Sequence, residues 1–318
     1  MLATWRARSR PHTPSFTIPA DVPFVPINAL PDRSEDSSTC TVIGGGKTGV
    51  DACLWLLDQG TDPEKIRWIR PREAWFNDRR TAQPHDLIGH TIESVALAAE
   101  IIAGGGDPDT MLNQFEDAGQ VIRLDQSTVP TMYRGSMLSI AEVERLRSIT
   151  DVVRLGRLRT IEIDRLVLDH GEVSPREDTL YVDCSSYGLR ARQPVPVFGP
   201  DRITLQYLRH LSPSFSAALL GWVEAHRTNP VEKNRLCAPH ATPTRPADWA
   251  PMLVRSWLVA GAWRADPELT AWINSSRLNL GVVGQMRDDP LVRHSVDRLR
   301  RCVGPAVERV RPSPGPTG

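Results

Sequence analysis

The chain has 318 residues, 38 basic and 38 acidic side chains, and 40% apolar residues. That length allows about two domains with a substantial core, and the zero net charge excludes the electrostatic footprint of a general nucleic-acid binder. Five scattered cysteines, none in a C-x-x-C pair, exclude a disulfide framework and thiol–disulfide exchange, and they point to a reducing, cytoplasmic setting.

Residues 1–39 carry six prolines and end in the polar run from Arg33 to Ser38, a composition that reads as a wrapping segment with no continuous helix or central strand. From Cys40 the pattern sharpens. Thr41-Val42-Ile43 predicts a buried strand, and Gly44-Gly45-Gly46-Lys47-Thr48-Gly49 comes directly after it. Val50, Cys53, Leu54 and Leu57 then recur at helical spacing, with Gly60 as C-cap. Ile66–Ile69 predicts the next strand, so the stretch forms a βαβ unit with a parallel sheet. Residues 84–118 read as helical: a long helix over Asp86–Ala103, a stop at Gly104-Gly105-Gly106, and a restart near Thr110. Ser139 and Glu142 predict a capping box. Val152–Ile163 and Leu166–Asp169, with His170-Gly171 as turn, predict an antiparallel ribbon, and Leu180–Cys184 a further strand. After Pro200 the pattern is mostly helical, and the proline-rich tail from Arg311 reads as disordered. The most apolar C-terminal stretch, Pro251–Trp263, is interrupted by Arg255 and too short to cross a bilayer, so no membrane span is expected.

Gly44-x-Gly46-x-x-Gly49 sits between a strand and an amphipathic helix, the setting a dinucleotide fingerprint requires. The first glycine makes the tight turn, the second admits a pyrophosphate, and the third lets helix and strand pack. Gly45, Lys47 and Thr48 complete the loop at the helix N-terminus, where free N–H groups and the helix dipole favour phosphate. A P-loop is excluded because it needs glycine at position 41, which is Thr41. At the tip of the second strand, where a carboxylate would accept from ribose hydroxyls, the chain has Arg70-Pro71-Arg72. A guanidinium there pairs with a 2′-phosphate, so NADP(H) is the expected cofactor, read by Arg70, Arg72 or both.

The run Thr41–Ala52 is similar to the second, NADPH-binding glycine motif of two-dinucleotide flavoproteins, among them flavin-containing monooxygenases and bacterial FAD/NAD(P)-dependent oxidoreductases. The order of elements from 40 to 184 resembles their inserted nicotinamide domain, and Asp183–Leu189 resembles the small-residue turn by which the return strand re-enters the flavin site. The resemblance implies an α/β fold in which a Rossmann-like NAD(P)-binding domain of three-layer β/β/α type is followed by a largely helical C-terminal region. It also implies FAD, although the first glycine motif that would cradle flavin is absent from residues 1–39, which contain no glycine. The expected division is 1–39 wrapping segment, 40–180 nicotinamide domain, 181–310 remainder of the flavin domain with the helices, and 311–318 tail.

No other constellation carries chemistry. The eight histidines lack metal-ligand spacing, and no hydrolase or short-chain reductase pattern occurs, so no metal and no catalytic side chain is assigned. Tyr133 and Tyr187 are the only tyrosines considered for a ligand site. Cys184 and the tryptophans of 249–272 read as core; if the flavin half is missing, some apolar surface should be exposed and covered by a partner chain or a second copy. The functional expectation is the NADPH-binding portion of an FAD/NAD(P)-dependent oxidoreductase acting on an unidentified small molecule. The alternative is a non-catalytic dinucleotide-binding or interaction protein that has lost its flavin half.

Overall fold

β-Branched and aromatic residues alternate with polar turns through the first 183 residues and give way to long helical runs, and the computed structural model shows the same division. It describes residues 2–3, 14–186, 193–210, 212–279 and 288–310. The strands are β1 (Leu2–Ala3), β2 (Phe24–Pro26), β3 (Thr39–Ile43), β4 (Ile66–Ile69), β5 (Ala74–Asp78), β6 (Val121–Arg123), β7 (Met132–Leu138), β8 (Val152–Val153), β9 (Leu158–Ile161), β10 (Leu166–Leu168), β11 (Gly171–Val173), β12 (Thr179–Asp183) and β13 (Ile203–Thr204). The helices are α1 (Leu30–Arg33), α2 (Lys47–Asp58), α3 (Ile88–Gly104), α4 (Met111–Asp117), α5 (Ile140–Arg147), α6 (Pro213–His226), α7 (Pro230–Leu236), α8 (Trp249–Arg264), α9 (Pro267–Ser275) and α10 (Pro290–Val310).

The central sheet is parallel, in the order β2-β12-β3-β4-β8. Its middle strand is buried on both faces, as Val42 and Ile43 demand, and the hydroxyl of Thr41 is satisfied by that of Thr179 at 3.0 Å. Pro26 ends the edge strand β2, where a missing N–H breaks no inner ladder. Helix α2 covers one face, burying Val50, Cys53 and Leu54 as the spacing predicts, and Gly60 ends it with φ +83°. The capping box is present: Ser139 Oγ accepts from Glu142 N–H, and the Glu142 carboxylate accepts from Ser139 N–H.

Three features differ from the sequence reading. Val152–Val153 does not open the antiparallel ribbon; it pairs parallel with β4 as the outer strand of the central sheet. Gly156, at φ +79° and packed against Asp169, turns the chain before the ribbon begins at β9. The long helix starts at Ile88, after a 3-10 turn over His85–Leu87 in which His85 itself has positive φ. Finally, β5, β6 and β7 form a separate sheet in the order β6-β5-β7, with β5 and β7 parallel and their register shifted between Trp75 and Asn77.

The stretch His85–Gly104 is long and apolar enough to cross a bilayer by length and composition alone. In the fold, α3 lies against α10, and its Glu93 and Glu100 are both ion-paired with Arg298. Of the C-terminal tryptophans, Trp249 and Trp263 are buried in two different clusters, bridged by α8. The tail from Arg311 lies outside the described residues.

Candidate functional site

The glycine loop leaves β3 at the C-terminal edge of the central sheet, between β4 and β12. Gly44 donates to the Ile69 carbonyl at 2.9 Å, and its own carbonyl accepts from the Trp68 indole at 2.9 Å. Its φ is +135°, and a Cβ there would lie 2.4 Å from the Cys184 carbonyl oxygen. A Cβ on Gly49 would lie 2.0 Å from the Gly44 carbonyl oxygen, so helix and strand are in contact at that point. Gly46 is different. It caps α2 without a side-chain hydrogen bond, and a Cβ there would meet nothing within 4 Å. Two glycines are therefore demanded by packing, and the third opens onto empty space at a helix N-terminus, as a pyrophosphate requires.

That space is a cavity of about 480 Å³. The loop from Gly44 to Thr48 forms its floor, and Ser15, Phe16, Ser136, Cys184, Ser185 and Ser186 contribute hydroxyl and apolar walls. Five cations line it: Lys47, Arg72, Arg134, Arg157 and Arg159. Lys47 also pairs with Asp51 one turn along α2, and Arg159 pairs with Asp169 at 2.5 Å. Burial lowers the pKa of the Arg134 guanidinium, and the neighbouring Arg72 and Arg157 charges lower it further. Arg157 is lowered by burial and by Arg72, with Asp169 opposing. Among the described residues no carboxylate and no imidazole lines the cavity. Crowded like charges facing a pocket without acids are stabilised by an anion of high charge.

The loop residues Gly44, Gly45, Gly46, Lys47 and Thr48 thus surround one cavity, and Gly49 supports them from below. The arginine pair divides. Arg72 lies beyond the end of β4 and lines the cavity, with its Nη2 3.5 Å from Met132 Sδ. Arg70 still belongs to the sheet: its N–H donates to the Val153 carbonyl at 2.9 Å. Its side chain is 5% exposed, 4.8 Å over the Trp68 ring and 3.1 Å from Glu73, and it does not line the cavity. Glu73 in turn accepts from Arg154, which pairs with Asp125.

Cys184 lines the cavity but is buried, and burial pushes its thiol far above the ordinary range, so it stays protonated. Tyr133 is fully enclosed, its hydroxyl hydrogen-bonded to Asn77 at 3.3 Å and its pKa pushed up to about 12 by burial; it does not line the cavity. Tyr187 lies outside the described residues. Sequence reasoning missed Trp68, Arg134, Arg157 and Arg159. For Arg134 the signal was the alternation of Met132, Arg134 and Ser136, all three of which line the cavity from one face of β7.

Ser15 and Phe16 reach the site because Thr17 is zipped onto the ribbon edge. Its N–H donates to Arg159 O and its carbonyl accepts from Ile161 N–H, each at 2.9 Å. Ser15 and Ser185 hydroxyls approach to 3.4 Å across the cavity mouth.

The chain is similar to the uncharacterized proteins Rv2000 of Mycobacterium tuberculosis and Mb2023 of Mycobacterium bovis, each 37% identical over 284 residues. Those residues are 88% of this chain and 53% of either relative, so the chain spans about half the length of the curated relatives it matches. No family model matches the chain. No solved structure matches it either.

Proposed function

We propose that this chain is the NADP(H)-binding part of a cytoplasmic FAD/NAD(P)-dependent oxidoreductase, with a Rossmann-like nicotinamide domain built on β3, α2 and β4. The observation that carries the reading is Gly46: a helix N-terminus without a side-chain cap, opening onto a cavity of about 480 Å³ lined by five cations. The N–H groups at the start of α2 would hold the pyrophosphate. Arg72, with Arg134 and Arg157 behind it, would neutralise a 2′-phosphate. When bound, the nicotinamide supplies a hydride donor. The protein's own contribution is to bind and orient, and to keep the Cys184 proton in place beside the loop. FAD enters this reading from the family resemblance alone, and no residue of the cavity is assigned to it.

Calorimetric titration tests the reading. NADPH should bind saturably and NADH at least tenfold more weakly. Arg72→Ala should remove most of that preference, a loss of about 1.5–3 kcal/mol for a charge-assisted contact. Absence of saturation with either nucleotide would overturn the assignment. The lack of a carboxylate or imidazole among the described cavity residues also suits a second reading, a dinucleotide-binding protein without catalysis. Flavin absorbance in the purified protein that bleaches on adding NADPH would exclude that alternative.

A further inference from the structure

A second cavity, of about 630 Å³, lies between the 193–194 segment, the 239–245 loop and the first turns of α8. It shares no lining residue with the cavity at the glycine loop. Pro194, Pro239, Pro251 and Met252 give it an apolar body. The one carboxylate that lines it among the described residues is already engaged: Asp248 accepts from Thr244 N–H at 2.9 Å, Thr244 Oγ1 at 3.1 Å, Arg245 N–H at 3.0 Å and Arg245 Nη2 at 3.3 Å. Arg245 thereby has a carboxylate partner.

Arg255 differs. It lines the same cavity, its Nε donates to the Pro239 carbonyl at 3.4 Å, and it makes no ion pair among the described residues. Arg159, Arg202 and Arg245, which also line cavities, each have a carboxylate partner. Arg255 is exposed, so its guanidinium stands at the rim of a cavity that mixes apolar and polar walls, with a charge a ligand can meet. His240 in the wall donates its Nδ1–H to the Ala241 carbonyl at 2.9 Å; burial lowers its pKa, that hydrogen bond opposes the shift and the Arg255 charge adds to it. The Nε2 of His240 and Oγ1 of Thr242 are shielded from water and have no partner, so the wall also holds unspent hydrogen-bonding capacity.

We infer that this cavity binds a small organic carboxylic acid with an apolar body, its carboxylate held by Arg255 and its body against the prolines and Met252. The site is placed to act beside the glycine-loop cavity. Met132 and Arg134 of β7 line that cavity, and between them the Tyr133 N–H donates to the carbonyl of Thr244, a wall residue of the second one, at 3.4 Å. The inference does not depend on nucleotide binding.

Phenylpropionate, and phenylpropanol as the same body without the charge, are suitable probes, read by NMR of histidine-labelled full-length protein. Phenylpropionate should shift the His240 ring signals saturably in the millimolar range, and phenylpropanol should bind at least tenfold more weakly, the cost of a lost charge-assisted contact. Arg255→Met should erase the difference between the two probes while leaving the unfolding midpoint and the NADPH titration unchanged. Equal binding of acid and alcohol, binding of the acid that survives in Arg255→Met, or no saturable shift with either probe would each overturn the inference. An NADPH titration that fails while phenylpropionate still binds would overturn the nucleotide reading and leave this one standing.

Discussion

Three glycines of one motif do different work, and substitution should separate them. Gly49→Ala drives a methyl into the Gly44 carbonyl, whose oxygen is 2.0 Å from the new Cβ, so it should destabilise by about 3 kcal/mol or more in urea unfolding. Gly46→Ala meets no atom and asks for no unusual backbone, since its φ is −89°. It should leave stability within about 0.5 kcal/mol, or raise it slightly through the unfolded chain. On the proposed nucleotide reading its effect falls on binding, where a methyl at the N-terminus of α2 should weaken NADPH by tenfold or more on calorimetry. The arginines show where residue-level reading stops. Arg70 and Arg72 are equivalent in a string of letters, and the strand end decides between them: one more backbone hydrogen bond to Val153 keeps Arg70 in the sheet, stacked on Trp68, and frees only Arg72.

At the scale of elements, local signals were legible and pairings were not. The Ser139–Glu142 box, the Gly60 cap and the run Thr41–Ile43 all arise from neighbours in sequence. The sheet β6-β5-β7 did not announce itself, because its register breaks at Asn77 and its strands come from segments separated by α3 and α4. With it went Arg134, one of the five cations of the wall. The α3–α10 pair supplies a further test. For Glu93 burial alone would raise the carboxyl pKa, but hydrogen bonds from Ser295 and Arg298 outweigh it and hold it below the usual range; Glu100 is lowered chiefly by its hydrogen bond from Arg298. Carboxyls depressed in the folded state contribute stability above their unfolded pKa, near 4.3 for glutamate, and lose it as pH falls through the folded value. Arg298→Met should therefore lower stability by about 1 kcal/mol at neutral pH, the scale of a half-exposed network. The gap to wild type should close below about pH 4; a gap of the same size at both ends would mean the contact is packing alone.

For the molecule as a whole, exposed large apolar side chains among the described residues are spread along the chain, with Ile163 at 90% and Val231 at 78% the most open. Trp249 and Trp263 are both buried, as the reading of these tryptophans as core expects. Because the glycine loop touches β3, β4 and β12 at once, nucleotide binding should stabilise the sheet as a unit. NADPH at a hundredfold over its dissociation constant should add about 2.7 kcal/mol and raise the thermal midpoint by several degrees, a shift Arg72→Ala should lose at the same concentration. The sheet order carries one more consequence, for the newborn chain. Thr41 meets Thr179 across 138 residues of sequence, and the loop at Gly44 rests on the Cys184 carbonyl beyond it. At synthesis rates of roughly 5–20 residues per second, the central strand must wait on the order of ten seconds on the ribosome before β12, the second of its two neighbours, exists. Until then β3, which can already pair with β4, keeps one edge open.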